Sequence, residues 1–149
     1  MSYFAGIDLH KRYLTLCVLD PEGNVIVQHR QLTTDGLFAV LAELDGPITI
    51  AVEATLHWAW LHDRLVAQGF AVQVADPGQV KLISRARCKT DPIDAKKLAD
   101  LLRSNLLPAI WVPDPATRAK GNSKATVAAA RKLCCYLFWM LKEGRTYPD

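Results

Sequence analysis

The chain has four cysteines but no CxxC pair: Cys17 and Cys88 stand apart, and Cys134 and Cys135 are adjacent inside an apolar run. Zinc knuckles and disulfide frameworks both need paired or regularly spaced thiols, so neither is indicated, and Cys134 and Cys135 read as core. Long hydrophobic runs are missing as well. Residues 133–141 are apolar throughout, but a bilayer needs about 20 such residues, so no membrane span is expected. The amino terminus has no basic segment leading into an apolar one, because Asp8, His10, Lys11 and Arg12 interrupt it, and a cytoplasmic location is expected. Neither sign of charge dominates. Eighteen Lys and Arg against 15 Asp and Glu leave a net charge of +3, which permits an anionic partner without demanding one. Internal repeats and low-complexity runs are absent too. What remains is a half-hydrophobic chain of 149 residues, enough for one domain with a real core and an appendage.

Against that background one stretch is unusual. Residues 84–103, SRARCKTDPIDAKKLADLLR, set two carboxylates at fixed spacing within a dense run of positive charge. Pro92 cannot continue a helix but readily opens one, and Leu98, Leu101 and Leu102 follow at helical spacing, which predicts a helix opening at Asp91. Asp94 lies three residues on, so both carboxylates project from the first turn on one side. Helix electrostatics alone explains them, with Asp91 as cap and Asp94 in the first turn. A functional reading therefore needs support from elsewhere in the chain.

In order, residues 3–8 and 13–19 read as strands, DPEGN at 20–24 as a turn, and residues 25–32 as a third strand, completing an antiparallel meander. Thr34 or Asp35 is expected to cap a helix that buries Leu37, Phe38, Leu41 and Leu44. Residues 48–52 form a continuous apolar run, the pattern of a strand covered on both faces, and end in Glu53. A helix over about 56–68, with Trp58, Trp60 and Leu61 read as core, precedes a strand at 70–74 and a short helix or turn at 77–84. The order predicts an α/β fold, a mixed sheet flanked by helices.

Three elements thus deliver acid at an end: Asp8 after the first strand, Glu53 after the fourth, and Asp91 with Asp94 on the late helix. Singly, each also reads as a solvated turn residue. If the first and fourth strands pair in parallel, however, Asp8 and Glu53 become neighbours at one edge. Adjacent carboxylates repel unless a cation lies between them, and magnesium or manganese is the natural occupant of such an oxygen set.

GIDLHKR at 6–12, AVEAT at 51–55 and KTDPIDAKKLADLL at 89–102 resemble the three signature segments of the DEDD transposases, insertion-sequence recombinases related to the Piv invertase and guided by a bridge RNA. The resemblance implies an RNase H-like, RuvC-type fold over residues 1–118, followed by a C-terminal tail helix over 119–149. It further implies DNA transposition, Mg2+ or Mn2+ at the catalytic and metal-holding tetrad Asp8, Glu53, Asp91 and Asp94, and DNA with a structured guide RNA as ligands. His10, Lys11, Lys81, Arg85, Arg87 and Lys89 are the expected nucleic-acid contacts, the sign pattern of a phosphate backbone passing a metal site; a solvated helix face is the competing explanation.

The resemblance thins from Trp111 onward. The family carries a second domain with a nucleophilic serine before its tail, whereas PDPATR at 113–118 here runs almost directly into the tail-like AKGNSKATVAAARKL at 119–133. Ser123 reads as a helix cap, and strand exchange by this chain alone is not expected. Residues 133–141 want burial against the domain or a second copy, so a homo-oligomer is expected. One alternative is an actin- or sugar-kinase-like ATP-binding domain, whose phosphate loop also begins with GID; that loop needs glycines and hydroxyls where Leu9 to Arg12 supply neither. A catalytically silent interaction fragment is the other.

Overall fold

Alternation along the central strands decides where the helices go. In the computed structural model, which describes residues 1–55, 58–84, 94–119 and 121–143, β1 (Tyr3–Leu9), β2 (Leu14–Leu19) and β3 (Val25–Leu32) form the expected meander. Then follow α1 (Thr34–Ala42), β4 (Ile48–Glu53), α2 (Trp58–Ala67), β5 (Ala71–Ala75), α3 (Pro77–Ser84), α4 (Asp94–Arg103) and a two-residue β6 (Ala109–Ile110). The strands form one mixed sheet in the order β3-β2-β1-β4-β5-β6, in which β4 runs parallel to both β1 and β5. This is the α/β mixed sheet the order of elements predicts, with helices on both faces, and it is consistent with the RNase H-like fold the resemblance implies. Residues 1–111 make one compact unit, and residues 112–149, carrying α5 (Pro115–Ala119) and α6 (Gly121–Glu143), make another.

Side chains of a strand point alternately to opposite faces. Ala5 and Ile7 of β1, Leu16 and Val18 of β2, and Ile50 and Val52 of β4 pack with Leu37 and Leu41 of α1 and Leu61 and Leu65 of α2. Each of these leucines is buried, worth about 2 kcal/mol per side chain. The opposite face is lined by small residues. Cys17 packs with Ala95 and Ala99 of α4, while Ala51 and Ala75 meet Leu98 and Leu102. Gly6 has no room for a side chain: the Ala95 carbonyl occupies the place of its Cβ, and the Ala99 amide nitrogen lies 2.6 Å from that place. The helix therefore rests backbone to backbone on β1.

The far end of α4 is fixed as well. Arg103 Nη1 donates to the Pro21 carbonyl at 3.2 Å, and its guanidinium lies against Gly23, whose φ of +92° suits a residue without a Cβ. The buried Asp20 closes the same turn by accepting from the Asn24 backbone and side-chain nitrogens, both at 2.8 Å.

Several local expectations are corrected. Thr33, not Thr34 or Asp35, caps α1; its extended backbone lets Oγ1 accept from Gly36 N at 3.1 Å. Trp60 is exposed rather than core, because Leu61 and Leu65 take the buried stripe of α2. Ser123 is the third residue of α6 and not its cap, since the helix already begins at Gly121. Cys134 and Cys135 are exposed, as are the apolar side chains of Leu133, Leu137, Phe138 and Leu141 around them. The predicted start of α4 at Asp91 lies outside the described residues.

Candidate metal centre and nucleic-acid face

The register of β1 and β4 pairs Ile7 with Val52, which carries Asp8 and Glu53 to the next position on neighbouring parallel strands. Alternation then assigns both carboxylates to the small-residue face, since Gly6 and Ala51 lie two residues before them. Asp94 is the first residue of α4, immediately before the Ala95 that rests on Gly6. Three acids from three elements therefore share one end of the sheet, the carboxyl end of its parallel strands, where α/β folds place their ligands.

Their electrostatics records that proximity. Asp8 is raised above the ordinary carboxylate range, chiefly by burial, with the charge of Asp94 adding to the effect and His10 opposing it. Glu53 is raised by burial first, then by Asp8 and Asp94, while Lys81 of α3 pulls the other way. His10 Nε2 lies 2.9 Å from Asp8 Oδ2. Asp94 is more exposed and has Lys97 Nζ at 3.4 Å.

A hard divalent cation suits this donor set in chemistry and in sign: every group is a carboxylate oxygen donor, and the half-buried pair Asp8 and Glu53 gains from a positive charge between its members. The three side chains share a field without converging on one point, and among the described residues no group of three or more His, Cys, Asp or Glu side chains is close enough to hold an ion. Asp91, the fourth expected ligand, lies outside the described residues.

The expected nucleic-acid contacts divide. Lys81 is exposed on α3, near enough to Glu53 to act on its ionisation. Lys11 is exposed in the β1–β2 turn, and His10 in the same turn is engaged with Asp8. Arg85, Arg87 and Lys89 lie outside the described residues. Of the other basic residues in the stretch, Lys96 pairs with Asp100 at 2.8 Å and Lys97 with Asp94, so part of that charge is answered within α4.

Two features escaped the sequence reading: the Asp8–His10 contact and the seat of α4 on Gly6. Their signals were present. A histidine two residues after a strand-end aspartate can face it, and alanines at i and i+4, here Ala95 and Ala99, mark a helix face that allows close approach. Among the described residues no helix is long and apolar enough to cross a membrane.

No curated protein matches the chain. The family model of the IS110-type DEDD transposases, described as a transposase, matches residues 5–119, a span that includes β1, β4 and α4 with Asp8, Glu53 and Asp94. Most of the chain is thereby matched in order, and it belongs to the DEDD transposase family, whose business is the transposition of DNA.

Proposed function

We propose that this chain is a divalent-metal-dependent, nucleic-acid-processing domain of DNA transposition in which Asp8, Glu53 and Asp94, together with Asp91, hold Mg2+ or Mn2+. The observation that carries the reading is geometric: β1, β4 and α4 deliver Asp8, Glu53 and Asp94 to one end of the sheet, near enough for the charge of Asp94 to help raise the carboxyls of Asp8 and Glu53 beyond what burial does. A divalent ion held by such a set polarises a phosphodiester and neutralises charge that develops on its oxygens. The protein's part is to supply negative charge from a rigid sheet edge and a helix locked to it at Gly6. Lys81 supplies the opposite sign beside Glu53, where a phosphate backbone would pass.

DNA and a structured guide RNA are the proposed ligands, with His10, Lys11, Lys81, Arg85, Arg87 and Lys89 on the face they contact. The reading assigns no nucleophilic serine to this chain, so it includes no covalent protein–DNA intermediate and no strand exchange by the chain alone. A homo-oligomer forms through the apolar side chains that α6 exposes, since such a surface is seldom left in water.

Thermal melting with and without Mn2+ tests the metal reading. An ion that binds only the folded state adds about 2.7 kcal/mol at a hundredfold excess over its dissociation constant. The wild type gains that stability, and Asp8→Asn loses the gain. A wild-type melting temperature indifferent to manganese would refute the reading.

A further inference from the structure

We propose that His10 is a positioning residue for Asp8: it occupies one carboxylate oxygen, orients the group and leaves the other oxygen for the metal. The inference rests on the metal reading above and adds a residue and a role to it. Its basis is geometric. β1 and β2 pair as far as Leu9 and Leu14, and the turn between them is closed by the His10 amide donating to the Tyr13 carbonyl at 3.0 Å. That bond fixes the His10 backbone directly beyond the sheet edge. The imidazole then packs against the Tyr13 ring, with centroids 4.4 Å apart and planes inclined at 38°. Held from both sides, the ring brings Nε2 to 2.9 Å from Asp8 Oδ2.

A carboxylate at a strand end, with no partner on either oxygen, rotates almost freely about its last bond, and a metal must then restrict that rotation when it binds. A ring that donates Nε2–H to Oδ2 has done so already, and it leaves Oδ1 with its lone pairs free. Hydrogen bonds of this outer kind commonly change metal affinity by about 10- to 100-fold. Lys11 and Arg12, exposed in the same turn, make no such contact with Asp8 and stay available to an outside ligand. If His10 instead merely neutralised Asp8 in place of a metal, removing it would strengthen metal binding, so the two roles differ in sign.

Calorimetric titration of Mn2+ into the full chain at pH 8, where the carboxylates are ionised, separates them. His10→Ala should weaken binding about 10- to 100-fold. His10→Gln, whose amide nitrogen reaches the place of Nε2, should remain close to wild type. His10→Leu, similar in bulk but without a donor, should behave like the alanine variant, and it takes that variant's place should the latter fail to fold. A purely structural role would not distinguish Gln from Leu when both give the wild-type far-UV circular dichroism. Equal or tighter binding in the Ala and Leu variants overturns this inference and leaves the metal reading standing. A wild type that binds no manganese overturns both.

Discussion

Gly6 of β1 carries the carbonyl of Ala95 in the place where its own side chain would stand. That contact sets the separation between the strand bearing Asp8 and the helix bearing Asp94, because each acid lies within two residues of it. Gly6→Ala must therefore push α4 away from the sheet. We expect a loss of at least about 1–3 kcal/mol, the usual cost of overpacking, measured by urea denaturation. Metal affinity should fall further than in a surface variant of equal stability. A Gly6→Ala protein as stable as wild type would show that the helix seat is softer than described.

The raised carboxylates fix the sign of a pH dependence. Asp8 and Glu53 ionise less readily in the folded chain than in the unfolded one, whose carboxylates titrate near about 4. The folded state thus holds more protons between that value and the raised folded values. Stability of the metal-free protein rises as pH falls through that window. Asp20 and Asp114 act in the opposite direction, their carboxyls held low by bonds from the Asn24 and Thr117 side chains, but their contribution is lost only below about 4. Denaturation measured as pH falls from neutral toward about 4 should show the gain, Asp8→Asn and Glu53→Gln should each flatten it, and saturating Mg2+ should reverse its slope because a bound metal favours the ionised carboxylates.

Much of this was legible in the sequence, for identifiable reasons. β4 is buried along both faces and reads as an unbroken apolar run, and β1 as a shorter one, so the parallel pairing that joins Asp8 to Glu53 could be anticipated, whereas β5 leaves Ala71 and Gln73 exposed. β6 could not: two residues, Ala109 and Ile110, carry no period, and only their pairing with Ala75 and Val74 makes them a strand. Trp60 misled because size suggests burial, while the narrow stripe of Leu61 and Leu65 already fills the core side of α2. The cap of α1 was displaced by one residue because Thr33 and Thr34 are chemically equivalent and only backbone geometry chooses between them. At the site, the residue types were readable but the contact between His10 and Asp8 was not, since it depends on the shape of the β1–β2 turn.

Nucleic-acid affinity should depend steeply on salt, and the charge beside Glu53 should contribute to the slope. Lys81→Ala is expected to reduce the dependence of log affinity on log salt by about one phosphate contact, and charge reversal at Arg85 and Arg87 should lower affinity across all sequences. Filter binding of structured RNA and duplex DNA over a salt series provides the measurement. Binding at low salt that ignores all three substitutions would mean that ligands approach from another face.

Leu133, Leu137 and Leu141 follow one another at four-residue spacing along α6, and all are exposed. Sedimentation velocity should show self-association of the full chain, abolished by Leu137→Glu with Leu141→Glu. Each buried leucine lost from an interface weakens it by about 2 kcal/mol, and the pair removes two from each copy, so the dissociation constant should rise by more than about three orders of magnitude. A wild type that is monomeric at high micromolar concentration would contradict this.

The central claim is that Asp8, Glu53 and Asp94 hold a divalent ion. A crystal soaked in manganese and measured at the manganese absorption edge tests it most directly. We predict an anomalous peak bounded by the carboxylates of Asp8 and Glu53 on the α4 side of the sheet, with a weak or absent peak in Asp8→Asn. Anomalous density confined to other sites, or none at all with the carboxylates ionised, would contradict the account.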